Sequence, residues 1–226
     1  MGFRATKERV VALLEGDAPL PELLSQLAGL PRSQVLKALF AGLCHHEEKR
    51  RWRAIAAFGP VVAGLADEDL EAARVVMRRL MWSLNDESGG IGWGVPEAMA
   101  ECLVHHDDLA AEYTHILVSF MREDGFFLEY PPLQRGLMWG LARLAAVRPQ
   151  LLRQKGASRY LPAYLASPDP AVRGLAAHAL GLLGETAARE QLQPLLDQGE
   201  TFPFHQDGQL YTRTVGQMAA DALARL

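Results

Sequence analysis

Apolar residues recur along this chain at intervals of three and four, the spacing that places side chains on one face of an α-helix. Val10, Leu13 and Leu14 form the first such stripe, which ends at Gly16 and Pro19. The same spacing returns between later glycine and proline breakers, and no strand-like alternation persists. The pattern therefore predicts an all-α protein.

The breakers divide the chain into two short N-terminal helices followed by five helix pairs. We place the first helix of each pair, helix A, at residues 33–46, 67–84, 108–122, 158–166 and 187–197. We place the second, helix B, at residues 49–65, 93–106, 132–147, 170–183 and 210–225. We expect one repeat domain over residues 1–226, in which residues 1–31 cap the end of the core and residues 32–226 form the repeats.

An arginine followed by small apolar residues comes back four times, at the start of helix B in most pairs. The intervals from Arg53 to Arg135, Arg173 and Arg213 are successively 82, 38 and 40 residues. The first interval is about two periods long, and Gly94 stands near the position where an arginine is missing. A repeat of about 40 residues is typical of solenoids. We therefore predict an α-solenoid, a right-handed superhelix of about five helix pairs.

The fourth unit, SPDPAVRGLAAHALGLLGETAAREQLQPLL at residues 167–196, resembles the HEAT-like repeat of the phycobilisome-lyase type. The resemblance implies a HEAT-like fold over about residues 33–226, polar contacts for the arginines near the A–B turn, and no particular activity. The matching elements are Asp169-Pro170, Val172-Arg173, the alanines at 176, 177 and 179, and the Leu-Gly pairs at 180–181 and 183–184.

Composition excludes several classes of partner. The net charge is −4, with 23 basic and 27 acidic residues, so no broad cationic surface for nucleic acid is expected. No run approaches the length of a membrane span, and the first residues lack the apolar stretch of a signal peptide. Cys44 and Cys102 match neither a zinc-ribbon spacing nor a disulfide framework. We expect a cytoplasmic protein with no nucleic-acid or membrane partner.

The sequence offers little to a catalytic or metal site. The His45-His46 and His105-His106 pairs are predicted at opposite ends of helices, too far apart to share one zinc ion. No nucleophile motif, phosphate-binding loop or dinucleotide fingerprint is present. We therefore expect no catalytic residue, no metal and no cofactor.

Three of the connections from helix A to helix B are unusually long. All three are predicted to emerge on one edge of the solenoid, where insertions in repeat proteins often bind partners. Each combines acidic, glycine and aromatic residues. They are NDESGGIG at 85–92, REDGFFLEYPPL at 122–133 and TFPFHQDGQLY at 201–211.

These features predict a non-catalytic scaffold or adaptor that binds a protein or peptide on its concave helix-B face and along the A–B loop edge. One alternative is an enzyme, or a cofactor- or metal-handling protein, with a pocket at the acidic glycine-rich loop 85–97. Another is a homo-oligomer whose long loops pack against another copy. A purely structural role, in which the glycines make a tight turn and Trp93 fills the core, also fits that loop. The candidate binding residues are Asn85, Glu87, Trp93, Glu97, Glu129, Arg135 and Trp139.

Overall fold

The structure is a computed structural model, and it describes residues 3–84 and 92–226. Contacts divide the chain into two compact units, Met1–Leu109 and Ala110–Leu226. Each unit is built mainly of helices, as the apolar spacing predicts. The expectation of a single repeat domain over residues 1–226 stays a prediction.

Unit 1 is organised around a long central helix, α4, which packs against its neighbours on several sides. Large apolar side chains that are fully buried form the core around α4, among them Leu14, Leu39 and Phe58. A seventh helix, α7 (Asp107–Ser119), crosses the boundary into unit 2. The helices of unit 1 are α1 (Phe3–Glu15), α2 (Leu20–Ala28), α3 (Arg32–Leu43), α4 (Glu48–Glu68), α5 (Leu70–Leu84) and α6 (Val95–His105).

Small residues let α4 and α6 approach each other closely. A Cβ atom added at Gly59 would lie 2.6 Å from the carbonyl oxygen of Glu101, nearer than real Cβ atoms come to backbone. Side chains normally keep packed helix axes about 8–10 Å apart, so a glycine at the crossing permits a tighter contact. A similar close contact at a glycine occurs in unit 2, where a Cβ at Gly181 would lie 2.5 Å from the Cα of Ala222.

Unit 2 is organised around α11, which packs against α8 and α13 and is buried along most of its length. Its elements are α8 (Pro131–Val147), α9 (Pro149–Gln154), α10 (Ala157–Tyr160), a 3₁₀ helix (Leu161–Ala166), α11 (Pro170–Leu183), a 3₁₀ helix (Thr186–Ala188), α12 (Arg189–Leu192), a 3₁₀ helix (Gln193–Leu195), β1 (Thr201–Gln206), β2 (Gln209–Thr214) and α13 (Val215–Leu223).

A buried carboxylate joins the start of α11 to α8. Asp169 accepts hydrogen bonds from the backbone N–H groups of Ala171 (3.0 Å) and Val172 (3.2 Å), so it caps the helix. It also accepts a bond of 2.7 Å from Nε of Arg135. Arg173 donates to the carbonyl oxygen of Ser167 at 2.8 Å. These two recurring arginines therefore make structural contacts between neighbouring elements.

The other two recurring arginines are also engaged within their own units. Arg53 donates to the carbonyl oxygen of Ala18 at 2.8 Å, which ties α4 to the segment between α1 and α2. Arg213 forms an ion pair with Asp221 of α13. All four copies of the repeated arginine thus make polar contacts with a neighbouring helix or with the segment next to one.

The largest correction to the sequence analysis is a β-hairpin where a loop and the start of a helix were predicted. β1 and β2 pair antiparallel over residues 201–214, so helix B of the fifth pair begins at Val215 instead of residue 210. Asp207 (φ 51°) and Gly208 (φ 77°) form the two-residue turn. Only Phe202 and Phe204 alternate as buried residues, and two positions are too few to stand out among helical patterns.

Two predicted A helices are also shorter and less regular than expected. Residues 158–166 form the end of α10 and a 3₁₀ helix, and residues 187–197 form α12 between two 3₁₀ turns. Pro162 and Pro194 lie within these segments and cannot donate the backbone hydrogen bonds of an α-helix. The start predicted at Asp67 is also displaced, because α4 continues to Glu68 and Asp69 accepts from the N–H of Ala72 at 3.0 Å.

The contacts of Asp169 generate a stability prediction. Asp169→Ala removes both the cap and the ion pair with Arg135, and should lower the free energy of unfolding by about 2–4 kcal/mol. Asp169→Asn keeps an oxygen that accepts from the helix N–H groups, so it should cost less. Denaturant unfolding monitored by circular dichroism measures both. Asp197→Ala, at an exposed acid of the same unit, is the control and should change stability by less than about 0.5 kcal/mol. An equal loss for Asp169→Ala and Asp197→Ala would contradict this role.

Candidate functional site

The predicted binding residues divide between the two units. Asn85 and Glu87 lie outside the described residues. Trp93 and Glu97 belong to unit 1, whereas Glu129, Arg135 and Trp139 belong to unit 2.

The described part of the glycine-rich loop is shaped by close packing. A Cβ at Gly92 would lie 2.8 Å from the carbonyl oxygen of Ser83. Gly94 precedes α6 with a φ of 69°, and a Cβ there would lie 3.0 Å from the carbonyl oxygen of Leu43. Trp93, between these glycines, is partly buried. Both glycines are therefore required by the fold at the start of α6.

Glu97 is the carboxyl group in the described part of that loop, and its pKa is strongly shifted. It lies in the first turn of α6, and its Oε2 atom has no hydrogen-bond partner among the described residues. Burial raises the pKa of Glu97 from 4.5 to about 7, against the opposing effects of a hydrogen bond to its own backbone and of the charge of Arg51. A carboxyl group of this kind is suited to holding or moving a proton near neutral pH.

The predicted residues of unit 2 have mainly structural contacts. Arg135 is held by Asp169, and Trp139 donates from Nε1 to the carbonyl oxygen of His205 at 2.8 Å, which attaches β1 to α8. Glu129 is exposed in the connection before α8. Glu129 and Arg135 are both exposed to solvent, whereas Trp139 is partly buried.

A second cluster in unit 2 forms an open groove of about 720 Å³. One wall comes from the connection between α7 and α8, the long segment that the sequence analysis singles out. The other wall comes from α10, the 3₁₀ helix after it and the turn that leads into Asp169. The residues that give the groove its chemical character are Arg122, Glu123, Phe127, Arg159, Tyr160 and Tyr164.

Two guanidinium groups lie near the ring of Tyr160. Those of Arg122 and Arg159 are 5.5 Å and 5.6 Å from the centre of its ring, within the range of a cation–π interaction. Arg122 also donates two hydrogen bonds, of 2.9 and 2.8 Å, to the carboxylate of Asp124. This pairing lowers the pKa of Asp124 and fixes the orientation of Arg122. No ion pair of Arg159 occurs in the part of the chain that the structure describes.

Tyr164 connects the two walls of the groove. Its hydroxyl donates to the carbonyl oxygen of Met121 at 3.1 Å, and the residue is buried. Burial, with a smaller contribution from the charge of Glu123, raises the pKa of Tyr164 to about 12. The hydroxyl is therefore protonated at neutral pH and stays a donor. The bond holds the segment after α7 against the 3₁₀ helix, and so holds the two walls of the groove together.

Tyr160, Arg159 and Tyr164 were not among the predicted site residues, because residues 158–166 were assigned to an ordinary repeat helix. A signal was present in the letters SRYLPAY, where two tyrosines four residues apart flank a proline that interrupts an α-helix. Phe127 lies in one of the connections that were predicted to be long, but an acidic residue of that connection, Glu129, was chosen as the candidate binding residue instead. Nearby aromatic residues are exposed, Phe126 by 54% and Tyr130 by 44%.

Within residues 3–84 and 92–226, no group of three or more His, Cys, Asp and Glu side chains is arranged to hold a metal ion. In the same ranges, no helix is both long and apolar enough to cross a bilayer.

Comparison with known proteins identifies the fold. No family model and no curated protein matches this chain. Among solved structures, an engineered protein superposes with a TM-score of 0.58 at 17% identity, covering 100% of this chain and 91% of that one. A designed armadillo repeat protein in complex with the peptide (KR)4 gives a TM-score of 0.58 at 17% identity, covering 98% and 92%. Another designed armadillo repeat protein gives 0.56 at 18% identity, covering 97% and 92%.

These similarities confirm the predicted fold class. The chain is an all-α solenoid built from helical repeats, and two of the solved neighbours named above are designed armadillo repeat proteins. Identities below 20% carry the fold and nothing more specific about activity or partner.

The buried carboxyl of Glu97 generates a pH prediction. Its folded pKa of about 7 exceeds the ordinary value of 4.5, so the unfolded chain holds fewer protons between these values and stability falls as pH rises. Glu97→Gln should therefore gain about 1–3 kcal/mol relative to wild type between about pH 5 and pH 8. Burial lowers the pKa values of His178 and His205 to about 4, so these two groups make stability rise with pH. Both are present in wild type and in the variant, so they do not contribute to the difference between the two proteins.

Denaturant unfolding at several pH values measures the difference between the two proteins. Glu129→Gln, at an exposed position, is the control and should follow the wild-type pH dependence. If the curves of Glu97→Gln and wild type run parallel, Glu97 is not the perturbed group.

Proposed function

We propose that this chain is a non-catalytic scaffold or adaptor that binds a segment of another protein, and that the groove around Tyr160 is its binding site. The observation that carries the proposal is the Tyr160 ring, which lies in an open groove within cation–π distance of two guanidinium groups. Tyrosine and arginine dominate binding energy at protein interfaces, because they combine large contact area with hydrogen-bonding and cationic groups.

The groove has the character of a recognition surface. Its carboxylates, Glu123 and Asp124, are exposed to solvent, whereas a catalytic pocket more often encloses them and perturbs their pKa upward. The long connection from α7 to α8 forms one wall, in keeping with the expectation that a partner binds along the A–B loop edge. Helical repeat solenoids expose such surfaces between their stacked units.

The charges of the groove favour a particular kind of segment. Arg122 is neutralised by Asp124, whereas Arg159 remains exposed beside Tyr160. We therefore propose a partner segment that places an apolar or aromatic side chain against Phe127 and an acidic side chain next to Arg159. The apolar contact supplies most of the affinity and the charge pair supplies orientation.

Of the predicted site residues, Glu129 remains a proposed rim contact, since it is exposed in the same connection. Arg135 and Trp139 support the elements around it. We also propose that the repeat units are of the phycobilisome-lyase HEAT type, which the residues of the fourth unit favour. The cytoplasmic location stays a prediction.

A second candidate function concerns the loop at residues 85–97. Its raised pKa makes Glu97 the one carboxyl group in the described part of that loop with the character of a proton donor or acceptor. This observation favours the alternative of an enzyme or a cofactor-handling protein. The packing of Gly92 and Gly94 is explained by the fold alone, so the groove in unit 2 is the stronger candidate site.

Selection from a random peptide library displayed on phage tests the proposed site. Immobilised wild-type protein should enrich peptides that combine an apolar or aromatic residue with a nearby acidic one. In fluorescence polarisation with a selected, labelled peptide, Tyr160→Ala should weaken binding by at least about tenfold, because it removes the central aromatic contact. Circular dichroism establishes that the variant remains folded.

Tyr130→Ala is the matched control, since it truncates another partly exposed tyrosine of the same unit that does not line the groove. It should leave the dissociation constant within about twofold of wild type, because contacts outside the binding centre are often nearly neutral. Equal losses for Tyr160→Ala and Tyr130→Ala, or a library that yields no enriched peptide, would count against the groove.

A further inference from the structure

The β-hairpin of unit 2 has two long edges that differ in the state of their backbone groups. In an antiparallel pair, residues alternate between those whose N–H and C=O groups point to the partner strand and those whose groups point away. The phase of this alternation decides what each edge can bind. The register pairs Gln206 with Gln209 next to the turn and Thr201 with Thr214 at the far end.

Two independent observations fix that phase. Pro203 has no N–H, so its pair with Thr212 is not one that exchanges hydrogen bonds. Just beyond the hairpin, the N–H of Val215 donates to the carbonyl oxygen of Glu200 at 3.1 Å. Hydrogen-bonded pairs recur every second residue, so the pair of Phe202 and Arg213 also exchanges hydrogen bonds. The backbone groups of Leu210 and Thr212 therefore point away from β1.

The outer edge of β1 is closed. Pro203 offers no donor there, and the carbonyl oxygen of His205 accepts from Nε1 of Trp139. Phe202 and Phe204 turn inwards on the face that packs against α11, where Phe204 meets the ring of His178 at 5.6 Å. A further strand that paired along β1 would have to replace the bond between Trp139 and His205.

The outer edge of β2 is open. All four residues from Gln209 to Thr212 are exposed, and the apolar ones are exposed to an unusual degree, Leu210 by 52% and Tyr211 by 44%. None of the four carries a charge, although natural sheets commonly protect an open edge with lysine or proline. An uncharged edge with outward donors and acceptors is a template for another strand.

We propose that the open edge of β2 pairs with the same edge of a second copy of this chain, in antiparallel register about Tyr211. The outward residues are two apart, so Leu210 of one copy faces Thr212 of the other, and the reverse pair forms at the same time. Each pair exchanges two hydrogen bonds, four in all, and the arrangement is closed by two-fold symmetry. The result is a four-stranded sheet in the order β1-β2-β2-β1.

The side chains are compatible with this register. The two copies of Tyr211 become directly opposed on the face that carries Phe204, where aromatic cross-strand pairs stabilise sheets. Arg213 of one copy stands opposite Gln209 of the other, so no like charges face each other. The edge therefore matches itself in hydrogen bonding and in polarity, and the opposed Tyr211 pair favours a second copy as the partner. This inference concerns a surface separate from the groove and does not depend on the proposed function.

Sedimentation velocity tests the proposal over protein concentrations from about 1 to about 200 µM. Wild type should shift from monomer to dimer with rising concentration. Thr212→Pro removes an outward donor without removing a bond to β1, and a proline already occupies the opposite position. It should raise the dissociation constant of the dimer by at least about tenfold while leaving the melting temperature unchanged.

Cysteine cross-linking tests the register itself, in a Cys44→Ser background that removes the native exposed thiol. Tyr211→Cys places two thiols on directly opposed residues, whose Cα atoms are about 4.5 Å apart in such a pair, within disulfide range. Gln209→Cys is the matched control, because the two copies of residue 209 would be about 13 Å apart in this register. Mild oxidation should cross-link Tyr211→Cys much faster than Gln209→Cys.

Three outcomes would overturn the proposal. The first is a wild-type protein that stays monomeric at the highest concentration. The second is equal cross-linking of the two cysteine variants, which would indicate random encounters. The third is a monomer whose binding of a library peptide is abolished by Thr212→Pro, which would assign the edge to a foreign strand.

Discussion

The contacts of α11 are the constraint on which the rest of unit 2 depends. Gly181 lets α13 approach its backbone, and Gly174 gives room to the ring of Phe202, which positions the hairpin. At the start of α11, Asp169 ties the helix to α8 through Arg135. The turn that leads to Asp169 is also one wall of the groove. One buried helix therefore positions both the groove and the hairpin, and substitutions along it are expected to act on both surfaces.

Much of the fold could be predicted from the sequence, because regular helices have a period of their own. The stripes and breakers located most of the helices, and the recurring arginine gave the repeat. The hairpin was not predictable from periodicity, since only two of its residues are buried in alternation and its second strand is almost wholly exposed. The Asp207-Gly208 turn was the available signal, but it lay inside a segment already interpreted as a loop.

The candidate site was predictable only in part. The connection after α7 stood out by its length, and it does form a wall of the groove. The opposite wall lies mainly in residues 158–166, which the apolar spacing assigned to an ordinary repeat helix, and Arg159 and Tyr160 are residues that a surface helix would also carry. What distinguishes them is their distance from Arg122, which depends on tertiary packing. Arg135 and Trp139 show the converse, since residues typical of interfaces are used here to attach Asp169 and β1 to α8.

Hydrogen–deuterium exchange with and without a library-selected peptide tests whether the groove around Tyr160 is the binding site, because it locates the bound segment without altering the protein. Amides in exposed connections and 3₁₀ turns open readily, so protection by a ligand is visible there. When the peptide is bound, we expect slower exchange over residues 122–130 and 158–168, with no change over residues 92–97. Protection confined to residues 92–97, with the two walls of the groove unaffected, would contradict it and favour a site at the glycine-rich loop.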